Sequence, residues 1–116
     1  MPFDDDLSDT ERVICEAISA RRIISFTSKG RPRLAEPHDF GVVDGERRLF
    51  YYQVGGASNS SPPVGWRWAK PPEMLDLRML DRHFPGPRPV PSGRRHRWAR
   101  LLASVSRRTA HDGAGP

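Results

Sequence analysis

The alternation of apolar and polar residues after residue 22, interrupted by closely spaced turns, constrains the fold more than any other feature. From Ile23 the apolar period changes to two residues, so that Ile24 and Phe26 alternate with polar neighbours, as in β-strands. Ser28-Lys29-Gly30 supplies a turn, and Asp44-Gly45 is the pair favoured in two-residue hairpins. The pattern therefore predicts short antiparallel strands joined by tight turns.

The strands are expected wherever β-branched and aromatic residues recur between these turns. The most aromatic stretch includes Phe50, Tyr51 and Tyr52, whereas the segment from Gly55 to Gly65 is too polar and too rich in Gly, Ser and Pro to be regular. The last apolar segment is predicted as a strand, with a helix as the alternative. The predicted strands cover residues 23–27, 33–37, 40–43, 48–54, 66–69 and 74–80.

A helix precedes the strands. Ser8 and Glu11 have the spacing of a capping box, in which each side chain bonds to the backbone N–H of the other residue. Apolar residues at 13, 14, 17 and 18 then form one stripe at helical spacing. We expect the helix to end between Ala20 and Arg22.

One helix followed by short, closely connected strands is typical of a small SH3-like or Sm-like antiparallel barrel, whose closure removes exposed sheet edges. The chain has 116 residues, of which 36% are hydrophobic, which suits one domain with a modest core. We predict a mainly β protein: an acidic arm at 1–7, a barrel domain with its N-terminal α-helix at 8–88, and a basic tail at 89–116.

The tail differs from the domain in charge and composition. Prolines at 85, 87, 89 and 91 predict an extended connector. Residues 1–86 carry 12 basic and 13 acidic side chains, whereas residues 87–116 carry seven arginines and one aspartate. Trp98, Leu101, Leu102 and Val105 recur at helical spacing and predict a short basic amphipathic helix. The candidate nucleic-acid-binding residues of the tail are Arg94, Arg95, Arg97, Arg100, Arg107 and Arg108.

Three interpretations of this tail stay open. Its arginines could contact nucleic acid phosphates, its apolar side could bind a protein partner, or Trp98 and its apolar neighbours could fold back onto the domain. About four helical turns without a second anchor would bind a membrane only marginally, so no membrane partner is predicted.

The candidate ligand site of the domain combines cationic and aromatic side chains. Guanidinium groups suit phosphate oxygens and aromatic rings suit stacked bases, as in proteins that bind single strands. Trp66 and Trp68 alternate on a neighbouring strand, and we expect one to be buried and the other partly exposed. The predicted ligand-binding residues are Arg31, Arg33, Glu36, His38, Tyr51 and Arg67.

Several function classes find no support in the sequence. Cys15 is the only cysteine, so neither an internal disulfide nor a thiolate metal cluster is expected. The four histidines are spread over separate elements, Glu36 and His38 are better explained as a structural pair, and motifs of hydrolases, phosphate loops and zinc proteases are lacking. The acidic N-terminus does not resemble a signal peptide. We therefore predict a cytoplasmic protein that is not an enzyme and uses no cofactor or metal.

The domain resembles the WYL family over roughly residues 9–84. Arg33, Glu36 and Pro37 match its R-x-x-E-P segment, and residues 50–52 stand where the family has Trp-Tyr-Leu. The family's later R-x-D-R segment is replaced here by residues 70–73, with Arg67 as the nearest cation. The resemblance implies a Sm-like barrel that senses a ligand, often a nucleotide or oligonucleotide, in bacterial transcription regulators.

Together these observations predict a WYL-like module that binds a small anionic ligand, such as a nucleotide, or single-stranded nucleic acid in a regulatory role. The alternative is a protein–protein interaction or adaptor domain without nucleic acid contact. The sequence does not determine an oligomeric state.

Overall fold

A computed structural model of the protein describes residues 7–56, 64–89 and 98–105. These residues form one N-terminal helix and a single sheet of six antiparallel strands, which confirms the mainly β prediction. The elements are α1 (Asp9–Ala20), β1 (Arg22–Ser28), β2 (Arg31–Val43), β3 (Glu46–Gly56), β4 (Gly65–Ala69), a 3-10 turn (Pro71–Glu73), β5 (Leu75–His83) and β6 (Arg100–Ser104).

The strand order is β4-β3-β2-β1-β5, and β6 pairs with β2 outside this path. The hairpins β1–β2 and β2–β3 form as the turn residues predict. Among the described residues the two outermost strands of the path, β4 and β5, are not paired with each other. What the structure establishes is therefore an open, six-stranded antiparallel sheet.

Helix α1 begins as its sequence predicts, and three of the four residues of its predicted apolar stripe are buried. The Ser8 hydroxyl accepts from the Glu11 N–H at 3.1 Å, and Glu11 accepts in return from the Ser8 N–H at 2.9 Å. Ile14, Ala17 and Ile18 are buried against one side of the sheet, which we call the inner face. The side chains of this core come from most of the strands: Ile24, Phe26, Ala35, Phe40, Leu49, Tyr51, Ala69 and Met74.

β2 is one strand of 13 residues, so the prediction of two separate strands at 33–37 and 40–43 was wrong. The register against β3 shifts between Pro37 and Asp39. Proline has no N–H to donate, and such a shift is where a strand tolerates it. The strand thus continues in the sheet past Pro37.

Residues 100–104 form a strand, so the prediction of an amphipathic helix around Trp98, Leu101 and Val105 was also wrong. β6 pairs with Asp39–Val42, on the edge of β2 that β1 leaves unpaired beyond Ala35. Gly41 makes this possible, because a Cβ there would collide with the backbone oxygen of Arg100 and with the Trp98 ring. This agrees with the alternative in which Trp98 folds back onto the domain, and it makes residues 100–104 part of the sheet.

The segment that follows β5 is neither helix nor strand from residue 84 to 89, yet it is held in place. Phe84 is buried and donates its N–H to the Arg21 carbonyl at 2.9 Å. Arg21 donates in turn to the carbonyl of Pro85 at 2.7 Å. The tail arginines at 94, 95, 97, 107 and 108 lie outside the described residues.

No helix in the described part of the chain is long and apolar enough to cross a membrane.

Candidate ligand-binding site

The sheet separates the predicted site residues onto its two faces. Tyr51 pairs with Arg67 across β3 and β4, and both lie on the inner face beside Arg33. Glu36 pairs with Tyr52, which places Glu36 on the opposite, outer face with His38. Five of the six residues that the sequence places in one site therefore belong to two clusters, and the sixth, Arg31, is exposed at the β1–β2 turn and belongs to neither.

The inner cluster is centred on a buried amide. The Gln53 side-chain oxygen accepts from Arg33 Nη1 at 3.3 Å and from Arg67 Nε at 3.1 Å. Gln53 itself is fully buried, and its side-chain nitrogen donates to the Gly55 carbonyl at 3.0 Å. Two guanidinium groups thus converge on one neutral oxygen, so positive charge accumulates around it.

Arg33 is the least satisfied polar residue of the cluster. Only 8% of it is exposed, and its Nη2 donates to the Ser28 carbonyl at 3.4 Å. Its Nε is buried without a hydrogen-bond partner, and within the described residues Arg33 forms no ion pair. A buried cation without a carboxylate is unusual, because desolvation of the charge is left uncompensated.

Tyr51 closes the cluster on the side of the core. Its ring packs edge-on against Phe26 with 5.5 Å between centroids, and its phenol lies close enough to the Arg33 guanidinium to feel its charge. Burial raises the pKa of the Tyr51 phenol, while the nearby guanidinium groups of Arg33 and Arg67 act in the opposite direction. The phenol therefore stays protonated at neutral pH and can donate a hydrogen bond.

A cleft of about 380 Å³ opens beside Arg33. Asp76 and Arg78 are exposed at its rim, and Asp76 has a φ of 53°, a left-handed conformation that aspartate adopts more readily than most residues. Arg31 does not line the cleft. The lining residues are Ser25, Phe26, Thr27, Pro32, Arg33, Leu34, Gly56, Asp76 and Arg78.

The outer cluster is built around an ion pair that the sequence did not predict. Arg88 Nε and Nη2 donate to the two carboxylate oxygens of Glu36 at 2.6 and 3.1 Å, a bidentate geometry. The guanidinium also lies over the Tyr52 ring, with 4.1 Å between its central carbon and the centroid. Glu36 is therefore neutralised within the chain.

His38 joins the same cluster through both ring nitrogens. Its Nδ1 lies 2.9 Å from the Glu36 carbonyl, and its Nε2 lies 3.1 Å from the backbone N of Arg88. A carbonyl can only accept and an N–H can only donate, so Nδ1 carries the proton and the ring is neutral. Burial lowers the pKa of His38, against the opposing effects of Glu36 and Asp39.

Aromatic rings cover the rest of the outer face. Phe50 and Trp66 stack nearly parallel with 4.5 Å between centroids. Trp68 is 40% exposed, and its ring centroid lies 5.6 Å from that of Trp98, which precedes β6. The prediction of one buried and one partly exposed tryptophan is therefore correct for Trp68 only, because Trp66 is half-buried.

Sequence reasoning missed Gln53 and Arg88. Alternation along β3 places Gln53 on the same face as Tyr51, which was a usable signal. Arg88 lies 52 residues from Glu36, so no spacing rule connects them. A glutamate on a buried strand nevertheless requires a cation, and that requirement was the available hint.

In comparisons with models of known families, with curated proteins and with solved structures, nothing matches this chain. Among the described residues, no group of three or more His, Cys, Asp or Glu side chains is placed to hold a metal ion.

Proposed function

We propose that the chain is a binding module for a small anionic ligand, and that Arg33 is the centre of the site. The observation that carries this proposal is the buried guanidinium with an unpartnered Nε and no carboxylate partner in the described residues. An anionic group that enters the adjacent cleft would supply the missing charge, and a small rotation of the guanidinium would direct its Nε toward the ligand.

The chemistry of the cleft favours a phosphate joined to an apolar group, as in a nucleotide. Its volume of about 380 Å³ lies within the range of small-molecule sites. Arg78 at the rim pairs with Ser25 of β1 and provides a second guanidinium, and Pro32 and Leu34 provide apolar surface. We place the phosphate against the β1–β2 strand pair, with Arg33 on its inner side and Arg78 at the rim on its outer side, and the base against Pro32 and Leu34.

The resemblance to the WYL family supports the same class of function. Arg33 and Tyr51 come from the two segments that carry this resemblance, and they meet in the inner cluster. We further propose that the sheet curves as an SH3-like or Sm-like barrel. The support is β2, whose two halves pair with β1 and β6 along one edge while β3 follows the other.

Titration of the full chain with adenosine monophosphate by calorimetry at low salt tests the site. We expect Arg33→Gln to weaken binding at least about tenfold, because a charge-assisted hydrogen bond contributes about 1.5–3 kcal/mol. Arg31→Gln is the matched control, since it removes the same charge two residues earlier on an exposed side chain. Equal losses in both variants, or none in either, would rule out Arg33 as the centre of the site.

Single-stranded nucleic acid is the larger ligand of the same chemistry. Trp68 offers an exposed ring for base stacking, and the tail supplies arginines in the sequence next to Trp98. Because β6 belongs to the sheet, the tail is best tested by substitution: Arg94, Arg95 and Arg97 to Gln together, with an oligothymidylate as the probe. We expect weaker binding and a shallower salt dependence. The slope of log K against log salt concentration should fall in magnitude by about 0.7 for each lost phosphate contact. An unchanged salt dependence would exclude these arginines.

A further inference from the structure

The outer cluster has the form of a receptor with its ligand attached. The receptor residues are fixed by the sheet, with Glu36 and His38 on β2 and Tyr52 on β3. Arg88, by contrast, belongs to the segment 84–89, which has no regular secondary structure. A rigid site thus holds a residue from a connecting segment.

Three independent contacts recognise this arginine. Glu36 accepts a bidentate pair of hydrogen bonds from its guanidinium, the Tyr52 ring lies against the guanidinium plane, and His38 accepts from its backbone N–H. Pro87 and Pro89 on either side restrict the backbone to extended conformations. Extended proline-rich segments that dock on aromatic surfaces are a recurrent mode of peptide recognition.

The receptor is buried, whereas its occupant is accessible. The Glu36 side chain is 6% exposed and the Arg88 side chain is 42% exposed. A groove of about 400 Å³ lies directly beside the pair, lined by Arg21, Glu36 and residues 85–89. An incoming segment can therefore approach the pair along this groove while the carboxylate keeps its position.

We infer that Glu36, His38 and Tyr52 form a binding site for a proline-flanked arginine of a partner protein, and that Arg88 occupies this site in cis. The segment 84–89 defines the chemistry of the partner: an extended backbone, an arginine and a proline on each side. Its residues lie on the opposite face of the sheet from the side chain of Arg33, and none of them lines the cleft beside Arg33.

Occupancy by Arg88 makes the site self-inhibited. An attached ligand acts at an effective concentration in the millimolar range, so a partner segment of equal intrinsic affinity competes poorly. Removing the Arg88 side chain should therefore open the site.

The test uses a synthetic peptide with the sequence of residues 84–89, acetylated and amidated at its ends, and the full-length ¹⁵N-labelled Arg88→Ala variant. We expect the peptide to shift the amide resonances of residues 36, 38 and 52 and to bind this variant at least about tenfold more tightly than the unaltered chain. The matched control peptide carries glutamine in place of the arginine, and it should bind at least about tenfold more weakly.

A second variant separates recognition from folding. Arg88→Ala combined with Glu36→Gln lacks the charged acceptor and should lose the preference for arginine over glutamine in the peptide. If Arg88→Ala alone does not fold, excess peptide added to the unaltered chain should displace Arg88, seen as a shift of its side-chain Nε–H resonance. Absence of binding to the folded variant, or to the unaltered chain in that case, would overturn the proposal, as would equal binding of the two peptides.

Discussion

Arg33 and Arg88 place their guanidinium groups on opposite faces of the same sheet, in two different electrostatic environments. Arg33 is buried on the inner face, and its described hydrogen-bond partners are the neutral oxygens of Gln53 and Ser28. Arg88 is partly exposed on the outer face and forms a bidentate pair with the buried carboxylate of Glu36. One cation lacks an anion, whereas the other has one supplied by its own chain.

This difference indicates what each region can accept. A buried cation without a counter-ion is costly to keep in an empty protein, and a ligand anion would relieve that cost. A satisfied ion pair stabilises the fold and offers nothing to an anion, although a competing guanidinium can exchange into it. The comparison therefore supports the proposals of an anionic ligand for the Arg33 cluster and of a cationic one for the outer cluster.

The largest expected effect is on the free energy of unfolding, which should depend on Arg88 much more than on Arg33. Arg88→Met should lower the free energy of unfolding by about 2 kcal/mol, because it leaves the Glu36 carboxylate buried without its partner; the exposure of Arg88 keeps the loss below that of a fully buried pair. Urea denaturation at pH 7 measures this change. Arg82→Met, on an exposed residue of β5, is the control and should change little. A loss in the control as large as that of Arg88→Met would show that the ion pair with Glu36 makes no specific contribution to stability.

A smaller effect is expected from the pH dependence of stability, which involves His38 of the outer cluster. Because the pKa of His38 is lower in the folded protein, the unfolded chain binds more protons as the pH falls through the ordinary value of 6.5. The contribution of His38 to stability is therefore complete above that pH and is lost on acidification. Glu36, Asp39 and Arg88 are the charged groups that face the ring.

Denaturation curves between pH 7.5 and pH 5 would reveal this dependence. His38→Gln removes the titrating group, so its stability should decline less steeply with acidification than that of the unaltered chain. The exposed His83, changed to glutamine, is the control and should leave the decline as it is. Identical slopes in all three proteins would show that His38 does not link the outer cluster to pH.

The smallest effect concerns the stability of the inner face. Arg33→Met should change the free energy of unfolding by about 1 kcal/mol or less, because the loss of its hydrogen bonds to Gln53 and Ser28 is offset by removal of the unsatisfied Nε and the desolvated charge. The same denaturation experiment applies, with ligand absent. A loss equal to that of Arg88→Met would mean that Arg33 is a structural residue.

The parts of the fold that depend on neighbouring residues could be predicted from the sequence. Ser8 and Glu11 determine the start of α1 through contacts three residues apart, and the Asp44-Gly45 turn determines the β2–β3 hairpin. Each signal depends only on residues close in sequence, so it can be recognised without knowledge of the tertiary structure.

Predictions failed where distant residues decide the structure. Pro37 suggested the end of a strand, but pairing with β3 continues past it through a register shift. Trp98, Leu101 and Val105 have helical spacing over only eight residues, a length at which the packing of Trp98 against Trp68 and Gly41 outweighs periodicity. The partnership of Glu36 with Arg88 spans 52 residues and could not be derived from spacing.

The site was predictable in kind but not in arrangement. Arg33, Tyr51 and Arg67 meet as expected, because alternation along strands assigns them to one face. Glu36 and His38 were placed with them, although their register against β3 puts them on the other side. Register depends on strand pairing, and a shift of one residue reverses the face.

The position of β6 also has a consequence for the order in which the protein is made. Synthesis proceeds from the N-terminus, so β1 to β5 leave the ribosome before residues 100–104 do. Until β6 arrives, the backbone N–H and C=O groups of residues 39–42 that face β6 form an uncovered edge. The nascent chain thus passes through a stage at which another growing copy could pair with that edge, and β6 ends this exposure.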